Sequence, residues 1–509
     1  MIGDTGGLET EVPVMDRAEG HGRSSRVHAE EGRAREGAFT LDVERIQFSP
    51  YFSRLSAVTQ VVSPTLSGAQ VHNRLTHSLK VGAIARAIAH RLTDSAAGGA
   101  RRAACDPIVV EAAALAHDLG HPPFGHLGEA VLDRIARVEL GLPDGFEGNA
   151  QTYRILTALD VIESAPTGLN LTAAVRTAAA KYPWAASVAR AEVDRHGAPR
   201  GIRQRPEGGY TVSKYSAYAI DAADLAEARA QCSAHPLRQS VEGAIMDIAD
   251  DIAYSVHDVE DFYRAGILDH ASIAAEFRGW LSRPAWSSED LRDVVDSAEH
   301  GAALERLRRK MRRDDDWVAD DDAFRMAVVT VDAQLIDELL SRPYDGSLTA
   351  ERALSSFSDR WIRTLQHAVV PTEPASPRSG PVTLSPTAWH IVEVLKFVHK
   401  NFVLSRPDLA IHQRGLSRIL TRTVRELDAW LDDEQDRLRV PRRLRELIAL
   451  AHAGYAALEA PPAPDELARL ARGRGIMDYV ATLNDTQAFA LSEAISGRAD
   501  GLWAIGQQL

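Results

Sequence analysis

Apolar residues in this chain recur at three- and four-residue intervals, and that period constrains the fold more than any other feature. Between Leu75 and Leu92, the residues Leu79, Val81, Ile84, Ala87, Ile88 and Leu92 fall at helical spacing, and the alanine-rich stretch from Pro107 to Leu119 predicts a second helix. Gly98 and Gly99 mark a break between the two. The same period predicts helices at about 149–159, 170–181, 218–231 and 237–263, while period-two alternation is scarce. The expected fold class is all-α, in the sense of mainly helical.

Interruptions of the pattern divide the chain. Residues 1–40 carry Gly, Glu and Arg without a continuous apolar run, and are expected to form a disordered tail rather than a signal peptide. Residues 41–371 make the main helical body, with the polar text around GAPRGIRQRPEGG, at about 184–217, inserted as a loop or short hairpin. Four prolines in TEPASPRSGPVTLSP mark 372–386 as a linker or loop, and 387–509 reads as a C-terminal helical part packed on the core. A length of 509 residues accommodates two or three domains, or one large body with insertions. The mixed-charge segment LERLRRKMRRDDDW fits a solvated helix face better than a nucleic-acid contact, and no internal repeat is visible.

Charge and cysteine content exclude some classes. A formal net charge of −13 repels polyanions at long range, which disfavours nucleic acid as the main partner. Two cysteines, Cys105 and Cys232, are too few for a disulfide framework and lack zinc-thiolate spacing, as expected of a protein in a reducing cytoplasm. No run of eighteen uncharged apolar residues offers a membrane span.

Chemistry concentrates in three stretches: His77 in NRLTHSLKV, His117 and Asp118 in AHDLGHPPFGH, and the acids of MDIADDIAYSVHDVED. Imidazole with carboxylate suits a divalent metal. Neighbours on a helix point ~100° apart, so His117 and Asp118 share one ion only where the helix ends, and Gly120 and Pro122 put an end there. A histidine from the helix near 77 and a carboxylate from the helix near 250 would complete four protein ligands and leave positions for water and phosphate oxygens. A His-Asp pair alone is more often a surface or capping pair. His121, His126 and Glu129 follow within the same Gly/Pro-rich turn, however, and His126 with Glu129 can meet as an acid-base dyad if a helix starts there. Asp250, Tyr254 and Asp258, four apart, share one face of a helix whose other face carries Ile245, Ile248, Ile252, Val256 and Val259. A solvated acidic face is the alternative for that segment, and Tyr254 amid the acids argues against it.

NRLTHSLKV, AHDLGHPPFGHLGEA, FEGNAQTYRIL, LNLTAAVRTAAAKYPW and DIADDIAYSVHDVED together resemble the HD superfamily of metal-dependent phosphohydrolases, and within it the dGTP triphosphohydrolase (dGTPase) family. The likeness runs from about residue 44 to 265 and resumes at RGIMDYVATLNDTQAFAL. It implies an HD-domain helical bundle over 41–371, with His77, His117, Asp118 and Asp250 holding Mn²⁺ or Mg²⁺. His126 and Glu129 resemble the catalytic dyad, His121 a phosphate-side histidine, and Arg74 a phosphate-binding arginine. Gln60 matches a glutamine that touches the nucleoside, and Lys181, Tyr182 and Lys214 match positions near the triphosphate. Tyr254 is implied to pack against the deoxyribose and Asp258 to accept its 3′-hydroxyl. The text departs from the family at ATLNDTQ and KYSAY, away from the metal ligands.

The function implied is hydrolysis of a deoxynucleoside triphosphate, dGTP foremost, to deoxynucleoside and inorganic triphosphate. The ion and Arg74 would polarise the α-phosphate, while the dyad and the ion activate water. Homo-oligomerisation and a dNTP activator come with the same resemblance. The alternatives are another HD phosphohydrolase, acting on a nucleoside monophosphate or an alarmone, and a non-catalytic nucleotide-sensing regulator.

Overall fold

The computed structural model describes residues 22–30, 37–60, 72–94, 105–163, 165–283, 299–372 and 376–498. These residues build a mainly helical body with two small antiparallel pairs, Ile202–Gln204 with Tyr210–Val212 and Val369–Pro371 with Val382–Leu384. The all-α expectation holds.

Three helices form the frame of the site: Arg74–Thr93, Pro107–Ala116 and Val241–Arg264, each packed on the other two. The first is capped by Asn73, whose side chain accepts from Thr76 N, and the second by Asp106, which accepts from Ile108 N ahead of a proline in the first turn. Ala112, Ala113, Ala114 and Ala116 are buried, and such small side chains let the flanking helices approach closely. Ser240 caps the third helix, and Ile245, Ile248, Ile252, Val256 and Val259 are buried on it as the periodicity requires. Each such side chain contributes on the order of 1.5–3 kcal/mol by leaving water.

Helix boundaries shift where capping overrides the apolar period. The expected 149–159 helix is α-helical over Gly148–Arg154 and widens to a π turn over Ile155–Leu159; the expected 170–181 helix covers Ala173–Ala179, capped by Thr172. The helices expected at 218–231 and 237–263 run over Ala222–Gln231 and Val241–Arg264.

Within the expected 1–40 tail, residues 22–30 are docked: Arg26 donates to Asp42 Oδ1 at 2.6 Å and His28 N to Asn170 Oδ1 at 3.0 Å. The rest of that stretch up to residue 36, and the Gly98–Gly99 break, lie outside the described residues. The insertion at 184–217 holds the short helix Arg190–His196 and the first strand pair. The 372–386 stretch differs from a free linker, since Val382–Leu384 pairs with Val369–Pro371 and Val369, Val382 and Leu384 are buried. Its prolines mask a short apolar alternation. In the basic segment, Arg308 pairs with Glu305 and Asp321, and Arg312 with Asp321, at 2.7–3.0 Å.

Two arginines, Arg54 part-buried and Arg154 buried, tie the C-terminal helices to the frame. Arg54 donates to the carbonyls of Ala481 and Leu483 on one side and of Leu119 and His121 on the other, at 2.7–2.9 Å. Arg154 donates to Asp478 and Asp221 at 2.8 and 2.9 Å, and Gln151 adds a bond to Asp478 at 3.1 Å. Asp478 belongs to the DY text near the end of the sequence, and it is fully buried. No helix among the described residues is long and apolar enough to cross a membrane.

Candidate metal centre

The second frame helix ends at Ala116, which places His117 at its C-cap and Asp118 in the turn that follows. Gly120 makes that turn possible: a Cβ there would lie 2.1 Å from the Gly148 carbonyl oxygen and 2.2 Å from Thr152 N. Thr152 closes the contact, accepting from Gly120 N at 2.9 Å and donating to the His117 carbonyl at 3.1 Å. Phe124 and Gly125 then adopt left-handed φ of 66° and 60°, and the Gly125–Val138 helix begins, carrying His126 and Glu129 on its first turn.

His77, from the first frame helix, and Asp250, from the third, meet His117 and Asp118 at this turn. His77 Nε2 lies 3.1 Å from Asp250 Oδ1, and His117 Nε2 lies 3.4 Å from Asp118 Oδ1 and 3.5 Å from Asp250 Oδ1. Donor atoms of His77, His117 and Asp118 all fall within 4.8 Å of one another. Two ligands of one small divalent cation stand ~3.0–3.4 Å apart when each is ~2.1 Å from it, so the spacing fits a shared ion. His117 supplies a second test. Its Nδ1 is 2.7 Å from the Ala114 carbonyl, which only accepts, so Nδ1 carries a proton and Nε2 is the nitrogen that faces the acids and would meet an ion. That Nε2 is buried and has no hydrogen-bond partner. The His/Asp cluster is therefore one that could hold a metal ion.

Charge is arranged to keep the carboxylates ionised. Burial opposes it, yet Arg74, His117 and His121 hold Asp118 well below the usual carboxylate range. Asp250 is likewise held low against burial by Lys181 and His117, with Lys181 Nζ 2.7 Å from its Oδ2. The same carboxylates outweigh burial at His117 and push its imidazole up to about 9. Burial and Arg74 drive His121 down to about 4, with its Nδ1 2.9 Å from Asp118 Oδ1.

The remaining predicted residues surround this centre. Arg74 is buried and donates to Asp118 Oδ2 at 2.8 Å, with its other amino group 3.5 Å from the Gln60 carbonyl; the Gln60 Oε1 is buried without a partner. His126 Nδ1 is 3.3 Å from Glu129 Oε2, and the His121 and His126 ring centroids are 4.9 Å apart. Burial opposes ionisation of Glu129, but His126 and Lys214 hold it low; an anionic carboxylate accepts only, so His126 presents Nδ1–H to it. His126 is exposed on the wall of a cavity of about 800 Å³ that Lys214, Tyr210 and Arg205 also line.

Lys181 and Lys214, which resemblance sets near a triphosphate, have carboxylates as partners: Asp247 and Asp250 for Lys181, Glu129 and Glu147 for Lys214, all at 2.7–2.9 Å. Tyr182 bonds through its N–H to Ser216 Oγ at 3.0 Å and lines a separate pocket with Lys181 and Arg200. Tyr254 and Asp258 lie on the Asp250 helix and meet His399. Sequence reading missed Asp247, which Lys181, Arg200 and Gln239 surround, and Glu147, the second partner of Lys214. Asp247 stands three before Asp250, so the helical offset was the available signal.

The HD domain, a metal-binding helical module, matches this chain over residues 74–153, the segment that holds His77, His117 and Asp118. The chain thus carries a domain of the HD class over those residues. Within that class it is related to proteins named deoxyguanosinetriphosphate triphosphohydrolase-like: one from Streptomyces coelicolor is 39% identical over 277 residues, covering 53% of this chain and 57% of the relative. A Corynebacterium glutamicum protein of the same name is 42% identical over 236 residues, 46% of this chain and 47% of the relative, and one from Bifidobacterium longum is 39% identical over 290 residues, 54% and 51%. The matches span about half the length of these curated relatives. The resemblance read from the motifs is borne out.

Proposed function

We propose that this chain is a metal-dependent triphosphohydrolase acting on deoxynucleoside triphosphates, dGTP foremost, and releasing deoxynucleoside and inorganic triphosphate. One observation carries the reading: four potential ligands from three separate stretches stand together, with the His77–Asp250, His117–Asp118 and His117–Asp250 pairs at 3.1–3.5 Å, around a buried imidazole nitrogen with no hydrogen-bond partner. The names of the relatives favour the dNTP substrate over other phosphoesters.

In this reading His77, His117, Asp118 and Asp250 hold a divalent cation, Mn²⁺ or Mg²⁺, which supplies positive charge to a phosphate and lowers the pKa of water. Arg74, fixed by Asp118, offers its remaining guanidinium donors to phosphate oxygens. His126 takes the proton of the attacking water at its free nitrogen while Glu129 steadies the imidazolium through Nδ1. His121, kept neutral by burial and Arg74, adds a hydrogen bond without a further charge. Gln60 and Tyr182 contact the nucleotide, and Lys181 and Lys214 balance the acids that hold ion and dyad. Tyr254 and Asp258 face the sugar. Homo-oligomerisation and response to a second dNTP belong to the same reading.

The test is incubation of Mn²⁺- or Mg²⁺-loaded protein with each dNTP, alone and mixed, with chromatography of the products. Intact triphosphate is expected; pyrophosphate, monophosphate or no product contradicts the reading. Asp118→Ala should abolish turnover with the helical circular dichroism unchanged, and retained activity would refute the site.

A further inference from the structure

Tyr254 and Asp258, four apart on the Asp250 helix, converge on one side chain from the C-terminal part of the chain. That side chain is His399, fully buried on the Pro386–Phe402 helix, which packs along Val241–Arg264. Its Nε2 is 3.1 Å from the Tyr254 hydroxyl, and the two rings meet edge to face at 4.9 Å and 83°. Its Nδ1 is 3.4 Å from Asp258 Oδ2, and neither of those buried atoms has a hydrogen-bond partner. Phe262 flanks the imidazole with its ring centroid at 6.4 Å and 28° to it.

An imidazole has two polar atoms, and here they are directed at the two residues of the third frame helix that lie beyond the metal ligand. Burial, with Lys400 and Lys396 nearby, drives His399 down to about 3, so at neutral pH it is a neutral ring with one donor and one acceptor. One nitrogen fixes the phenol. The other stands beside a carboxyl oxygen that is short of a partner.

We infer that His399 is a positioning residue for the sugar side of the site: it holds the Tyr254 ring in place beside Asp258 and thereby sets the discrimination between deoxyribose and ribose. The inference rests on the triphosphohydrolase reading above. A tyrosine ring is fixed by two torsions and by the partner of its hydroxyl, so loss of the Nε2 contact frees the ring to move, and a small outward movement makes room for a 2′-hydroxyl. A histidine that only filled the core would affect both sugars alike.

The experiment measures kcat and KM of the full chain, loaded with Mn²⁺, for dGTP and GTP, in the native sequence and in His399→Ala, His399→Gln and Tyr254→Phe. For His399→Ala the dGTP KM is expected to rise about tenfold with kcat within about threefold, and the dGTP-to-GTP ratio of kcat/KM to fall about tenfold or more. The glutamine variant, with an amide donor and acceptor, should recover part of that ratio. Tyr254→Phe, which removes only the hydroxyl, should lose it and provides the answer if the alanine variant fails to fold. A native protein that releases triphosphate while every folded variant keeps its ratio within about twofold overturns the role of His399 alone. A native protein that releases triphosphate from no dNTP overturns the underlying reading, and this inference with it.

Discussion

His77 Nε2 stands 3.1 Å from Asp250 Oδ1, across 173 positions of sequence and from a different helix. A close approach of these two groups needs the first and third frame helices in register, with the helix that ends at His117 between them. The fold thus makes the site by stacking three helices whose ends or middles each deliver one or two donors.

The turn after Asp118 has no room for a side chain at Gly120. Gly120→Ala would force a methyl group to 2.1 Å from the Gly148 carbonyl and 2.2 Å from Thr152 N, both backbone atoms. We expect a loss of about 3 kcal/mol or more in urea unfolding. A loss under about 1 kcal/mol would show that the turn is free to relax.

Asp478 receives Arg154 and Gln151 in a fully buried setting. Asp478→Ala strands part of the Arg154 guanidinium, although Asp221 remains at 2.9 Å. The expected cost is about 3–5 kcal/mol, the range for breaking one partner out of a buried pair. Arg154→Leu in the same background should restore part of it, and strict additivity of the two changes would argue against a coupled pair.

Lys214 sits between Glu129 and Glu147, and removing it leaves two acids facing each other. Lys214→Met should lower kcat about 10–100-fold, because Glu129 then shares a proton and steadies His126 less well. Adding Glu147→Gln should recover part of the rate, since it deletes the competing carboxyl, whose own pKa burial already pushes up. A double variant no faster than the single one would place the role of Lys214 elsewhere.

Stability should fall in mild acid through His399. Its folded pKa of about 3 lies below the unfolded value near 6.5, so the fold favours the neutral ring. The contribution is fully present above about pH 6.5 and is lost as pH falls from there toward 3, by up to ~1.4 kcal/mol per unit. Urea midpoints at pH 7, 6 and 5 should decline less steeply for His399→Gln than for the native chain; parallel slopes would contradict a buried neutral imidazole.

What could be read from the text follows from how local each signal is. The frame helices were legible because their apolar period and their caps lie within the segments themselves, as with Asn73 and Asp106. Asp250 is legible by its four-residue offset from Tyr254, and its neighbour Asp251 diverges from it, Asp251 toward Lys396 at 2.7 Å and Asp250 toward His77. The carboxylate partners of Lys181 were not legible, because a lysine in a polar loop carries no sign of which distant acid it meets. The strand at Val382–Leu384 was hidden by the prolines around it. His399 was passed over for a similar reason: in LKFVHKNF it occupies a core position of an apolar helix, and only packing against Tyr254 gives it meaning.

The most direct test of the site is a crystal structure of the protein soaked with Mn²⁺, with the ion located by anomalous scattering. A single peak is expected at ~2.0–2.3 Å from His77 Nε2, His117 Nε2 and one oxygen each of Asp118 and Asp250. Full-occupancy Mn²⁺ bound elsewhere, or none at these four ordered side chains under saturating Mn²⁺, would contradict it.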